Sequence, residues 1–166
     1  LEAMQEKQVT IEGITYKLNE PFTVIATQNP IEMEGVFPLP EAQLDRFLVK
    51  LEVTYPSYQG FLEVLKRIDE IEAEIEGLRP IASREDILAA REEARRVKIE
   101  ESIYNHIASI VEESRKHPAV KLGASPRAGI AMVKLARVWA LMDGRNYVIP
   151  DDIKEVAKPV LMHRIV

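Results

Sequence analysis

Three residues combine a side-chain type and a position suited to handling phosphates: Asn29, Arg46 and Arg127. Asn29 closes the run Phe22-Thr23-Val24-Ile25-Ala26-Thr27-Gln28-Asn29-Pro30, so a buried strand would deliver its uncharged amide to a sheet edge. In an open α/β sheet, ligands bind beyond the carboxyl ends of the strands. An amide at that place donates to a phosphate oxygen and accepts from a water, and it brings no further negative charge to a polyanion. The plainer reading is a turn residue ahead of a proline. Arg46 stands between a short amphipathic helix and a strand, where its guanidinium emerges at the sheet rim and can reach a neighbour's nucleotide; the alternative is a surface pair with Asp45 or Glu41. Arg127 follows Ser125-Pro126 in the first turn of a helix, where the helix dipole disfavours a cation. A phosphate would relieve that conflict and use the free N–H groups of the helix end. So would a carboxylate from another part of the chain.

The elements that must position these residues divide the chain in two. From Val9 to Leu18 the apolar residues alternate on either side of Glu12-Gly13, which predicts a two-stranded hairpin with Gly13 supplying the positive φ of a tight turn. Phe22 to Ala26 is nearly continuous in apolar or β-branched residues, as in a parallel-sheet strand covered on both faces, and Leu48 to Val53 reads as a second strand. Between them Pro40 opens a short helix carrying Glu41 to Phe47. Tyr55-Pro56-Ser57 marks a change to helical periodicity, so residues 1–55 read as one domain and 56–166 as an all-α second domain. In the latter, Phe61, Leu65, Ile68, Ile71, Ile75 and Leu78 form a stripe expected to pack within the helical domain, with a short coiled-coil seam as the alternative. Ser83 and Asp86 predict a capping box. A helix from about Glu100 to Lys116 buries Ile103, Ile107, Ile110 and Val111. Another from Ser125-Pro126 to Gly144, carrying Ala131, Met132, Leu135, Val138, Trp139 and Leu141, is expected at the centre of the domain. Pro150-Asp151-Asp152 opens the last helix, which Pro159 should kink or divide.

Composition excludes several function classes. A net charge of -5 does not mark the surface as a general nucleic-acid binder, and no specific nucleic acid is expected. With no cysteine there are no disulfides, thiolate metal sites or cysteine nucleophiles, and a reducing cytoplasm is the expected compartment. No apolar run approaches the roughly 18 residues that span a bilayer. His106, His117 and His163 lack metal-ligand spacing, and Glu70, Glu72, Glu74 and Glu76 read as a solvated helix face. The chain also contains no G-x-x-x-x-G-K-[ST] and no apolar strand ending in Asp-Glu, the features that would cradle phosphates and hold magnesium. It opens on Leu1-Glu2-Ala3-Met4-Gln5-Glu6, which reads as mid-helix and hence as part of something longer.

Taken in order, Leu1-Glu2-Ala3-Met4-Gln5-Glu6-Lys7-Gln8-Val9-Thr10, Ala26-Thr27-Gln28-Asn29-Pro30, Leu39-Pro40-Glu41-Ala42-Gln43-Leu44-Asp45-Arg46-Phe47, Ala124-Ser125-Pro126-Arg127-Ala128 and Asp143-Gly144-Arg145-Asn146-Tyr147-Val148 closely resemble the MoxR family of AAA+ ATPases. The resemblance implies an α/β remnant of an AAA+ core, made of a β-hairpin and parallel-sheet strands, followed by a helical lid. It implies that Asn29 corresponds to sensor 1, Arg46 to an arginine finger acting in trans, Arg127 to sensor 2, and the hairpin around Gly13 to the pre-sensor-1 insertion. It further implies ATP and Mg2+ as ligands of the intact protein, a homo-oligomeric ring, usually a hexamer, and remodelling or maturation of partners that often carry von Willebrand factor A domains. Magnesium-chelatase ATPase subunits share much of this layout. A chain of these residues alone is expected to bind no cofactor tightly and to lack ATPase activity, and a non-catalytic helical module for oligomerisation or partner binding is the alternative reading.

Overall fold

A computed structural model describes residues 2–28 and 39–166, apart from the side chains of Glu2 and Gln5. In chain order it holds α1 (Glu2–Glu6), β1 (Gln8–Ile11), β2 (Ile14–Lys17), α2 (Glu41–Leu44), α3 (Tyr58–Lys66), α4 (Ile68–Glu76), α5 (Arg84–Arg96), α6 (Glu101–Lys116), α7 (Pro126–Met142) and α8 (Pro150–Leu161).

The hairpin forms as its pattern requires. β1 and β2 pair antiparallel with Val9 opposite Tyr16 and Ile11 opposite Ile14, and Glu12 and Gly13 turn the chain at φ 50° and 82°. Two consecutive positive φ values match the right-handed twist of the strands. Behind the hairpin, Glu20 receives Lys7 and Arg91, which ties this segment to α5.

The two expected parallel strands are corrected by the structure. Phe22 to Ala26 and Leu48 to Val53 run as chain without ladder partners, and β1 with β2 make up the sheet among the described residues. A strand covered on both faces needs a neighbour on each side for its N–H and C=O groups. Here Ile25 is 86% exposed and Val53 97% exposed, so among the described residues the apolar character that predicted burial has no facing surface. Residues near the start of the second run are held by helices instead. Val49 packs on the helical core, and the Lys50 N–H donates to the Pro159 carbonyl at 2.9 Å.

The hydrophobic core lies among α6, α7 and α8 with the loops beside them. Ile103, Ile107 and Val111 face Ala128, Ala131, Met132, Ala136 and Ala140, with Ile153, Val156 and Val160 on the far side. The α7 contribution is largely alanine, and that small-residue face lets two helices close on it. Consequently α7 is central, as its apolar character predicts, but Val138 and Trp139 lie on its outer side. The capping box of α5 is present, with Asp86 accepting from the Ser83 N–H and the Ser83 hydroxyl accepting from the Asp86 N–H. Helix α8 continues through Pro159 to Leu161 without being divided. So close to the helix end, a proline frees the carbonyl one turn back and interrupts little else.

The stripe on α3 and α4 does not pack within the helical domain. Neither helix buries a residue, and among the described residues they touch each other and no further element. The α6, α7 and α8 core is packed from its own residues and draws none from α3 or α4. Phe61, Leu65 and Ile75 stay more than half exposed.

Candidate functional site

The segment Gly123-Ala124-Ser125-Pro126-Arg127 is positioned residue by residue. A Cβ on Gly123 would lie 2.6 Å from the Arg115 Cα, so only glycine lets this loop cross the backbone of α6. Ala124 is fully buried; its N–H donates to the Ser114 hydroxyl at 3.0 Å and its carbonyl accepts from the Arg115 Nε at 2.8 Å. Ser125 then caps α7 by accepting from the Arg127 N–H at 3.1 Å, and Pro126 occupies the first turn, where its missing N–H costs nothing. The outcome is an arginine held at the positive end of a helix with its side chain 48% exposed.

The anion that Arg127 requires is Asp45. Its Oδ2 accepts from the Arg127 Nη1 at 3.1 Å and from the Ser125 hydroxyl at 2.8 Å, and its Oδ1 accepts from the Arg164 Nε at 2.9 Å. Sequence reading left open a carboxylate from elsewhere in the chain as a partner for Arg127, and Asp45 is that carboxylate. Burial pushes the Asp45 carboxyl up, but hydrogen bonds from Ser125, Arg164 and Arg127 outweigh it and hold the group below the usual carboxylate range.

Arg164, which sequence reading missed, ties residues 45–48 to the end of α8. Its side chain is 3% exposed, and its guanidinium donates to the Asp45 carboxylate and to the carbonyls of Asp45, Phe47, Leu48 and Val160. All five N–H donors of the fork are thereby engaged. Beside it, the His163 Nε2 meets the Phe47 carbonyl at 3.1 Å. Burial holds the His163 pKa below its ordinary value, only partly opposed by that carbonyl. Neither residue carries a sequence signal, because each acts on a segment 116 or more positions away.

These contacts border a cleft of about 280 Å³ lined by Met4, Asp45, Arg46, Arg127, Lys134 and Arg164, with Leu48, Ile130 and Ala131 beneath. Four cations and one carboxylate around one concavity suit an anion with several negative oxygens. The structure therefore brings together two of the three residues singled out for phosphate chemistry, Arg46 and Arg127; Asn29 lies outside the described residues. No cluster of three or more His, Cys, Asp or Glu among the described residues is arranged to hold a metal ion.

Two family descriptions match this chain. Residues 1–49 match the ATPase family associated with various cellular activities (AAA), and residues 112–166 match the AAA lid domain. Over its full length the chain is 42% identical to Chaperone MoxR1 of Mycobacterium tuberculosis, covering 46% of that protein. The chain belongs to the MoxR-like AAA ATPase family. It is also similar to the uncharacterized protein YeaC of Bacillus subtilis, 49% identical over 99% of this chain and 51% of that one. A solved Cytophaga hutchinsonii structure superposes with a TM-score of 0.90 at 42% identity, covering 99% of this chain and 52% of that one. The chain thus spans about half the length of these relatives. Its fold is that of a remnant AAA core followed by a helical lid. Asp45 belongs to the AAA match and Ser125, Arg127 and Arg164 to the lid match, so the ion-pair cluster joins the two family segments.

Proposed function

We propose that this chain is the sensor and lid portion of a MoxR-type ATPase, in which ATP binding and hydrolysis between subunits of a ring, usually a hexamer, drive remodelling or maturation of partner proteins. Such partners include proteins with von Willebrand factor A domains. In this reading residues 1–55 are the end of the ATPase core and residues 56–166 the lid. Asn29 is sensor 1, orienting water and γ-phosphate; Arg46 is the arginine finger, placed on a neighbour's nucleotide; Arg127 is sensor 2. The phosphate cradle and magnesium ligands are supplied by residues outside those described. The observation that carries the proposal is the convergence of Arg46 and Arg127 on one cation-lined cleft at the junction of the core and lid segments.

The chemistry asked of these groups is electrostatic. Phosphoryl transfer spreads negative charge over the equatorial oxygens of the transferred group, and a guanidinium placed there is worth on the order of 10³ to 10⁵ in rate. In an ATPase ring containing this chain, Arg46→Ala is expected to lower turnover by at least about 10³ while nucleotide binding stays within a few fold. Mixing that variant with subunits lacking the P-loop lysine should restore part of the activity. An Arg46→Ala ring that turns over normally would remove the finger assignment. A second reading, a helical module that docks partners, is favoured by the exposed stripe on α3 and α4.

A further inference from the structure

Asp45 carries two guanidinium partners of very different kinds. Arg164 is 3% exposed and has every donor engaged, so removing it from Asp45 would strand a buried cation and several carbonyls. Arg127 is 48% exposed and reaches Asp45 through Nη1 alone, so its other side-chain donors remain for another acceptor in the cleft. The Arg127 end of this pair is open to water, and an ion pair with an exposed member is held more weakly than a buried one. One arginine is thus a permanent partner and the other an exchangeable one. The Ser125 hydroxyl also bonds both carboxylate oxygens, so the carboxylate does not rely on Arg127 for its orientation.

We infer that Asp45 is the resting partner of Arg127: a ligand bearing phosphoryl groups takes the Arg127 guanidinium from Asp45, while Arg164 and Ser125 keep the carboxylate beside Arg46. This rests on the proposed reading of Arg127 as a phosphate-sensing group and adds the group from which the phosphate must win it. Asp45 is accordingly a positioning residue. It withholds Arg127 when the cleft is empty of phosphate and releases it when phosphate is present.

The test uses inorganic tripolyphosphate as probe, added at millimolar concentration and constant ionic strength to the chain with labelled arginine and aspartate side chains. The Arg127 Nε resonance and the Asp45 carboxyl resonance should move together with one affinity, while the Arg164 Nε resonance stays in place. Asp45→Asn, which removes the competing charge but keeps the shape, should bind the probe roughly two- to fivefold more tightly. The gain should vanish in Asp45→Asn combined with Arg127→Ala. If Arg127→Ala binds tripolyphosphate as well as the unmutated chain, the phosphate-sensing reading itself fails. If Arg127→Ala weakens binding but Asp45→Asn does not tighten it, that reading stands and the exchange is overturned. Should Asp45→Asn not fold, the unmutated chain decides: an Asp45 resonance that stays still while Arg127 moves overturns the exchange.

Discussion

Replacing Arg164 by methionine should cost this protein about 3 kcal/mol, and the figure can be built from its contacts. Removing one partner of a buried ion pair costs about 3 to 5 kcal/mol because the other charge is left uncompensated. Arg164 qualifies as buried, with its side chain 3% exposed, while Asp45 is 14% exposed. Asp45 retains Ser125 and Arg127, and carbonyls near the exposed Leu48 can be rehydrated, so the lower end of that range applies. With an m-value of about 2 kcal/mol/M for a chain of this size, the urea midpoint should fall by about 1.5 M at unchanged slope. Trp139, the single tryptophan, reports the transition from α7. Arg164→Lys keeps the charge but not the five-pronged geometry and should fall between the two. Combining Arg164→Met with Asp45→Asn should cost less than the sum of the single changes, since the stranded charge is then gone. A midpoint shift under about 0.3 M for Arg164→Met would refute the reasoning, because it would mean that this buried network contributes no more than an ordinary surface pair.

Two further outcomes follow from burial and titration. Amides of α3 and α4 should exchange with solvent far faster than those of α6 to α8, since these two helices bury no residue and lack partner elements beyond each other among those described; protection equal to that of α7 would show that the stripe is covered. Stability should decline as pH falls from about 7 to 5, because His163 has a folded pKa below its ordinary 6.5 and the unfolded chain therefore takes up the proton first. His163→Gln should flatten the melting temperature across that window, and an unchanged slope would assign the effect elsewhere. The depressed Asp45 pKa acts in a separate window, below about 4, where its contribution is lost as the carboxylate is protonated.

Local rules made much of this fold legible. The hairpin turn at Glu12-Gly13, the capping box of Ser83 and Asp86, the Ser125 cap and the Pro150 start of α8 depend on neighbours within a few residues, and each is found where its signal stands. Burial was less legible. Phe22 to Ala26 and the α3–α4 stripe carry the composition of buried elements, yet burial requires a facing surface, and a single sequence does not say whether one is present. The candidate site shows the same division. Arg127 was found because a cation in a first helical turn is a local conflict, whereas its resolution by Asp45 and the anchoring by Arg164 are contacts across 82 and 119 positions. Arg164 lies near the end of the chain with no periodicity or motif around it, so nothing short of the fold could have named it.

In the proposed function, these residues sense and complete a phosphate site whose cradle lies elsewhere. Isothermal titration of Mg-ATP into the chain, with turnover measured on the same sample, tests it most directly. Without a P-loop nest and lysine, Arg127 and its neighbours offer isolated charged contacts, so the expected result is no turnover and a Kd of millimolar or weaker, equivalent to about 4 kcal/mol. Micromolar binding, or hydrolysis by the chain alone, would contradict the account, because it would require a complete phosphate site within these residues.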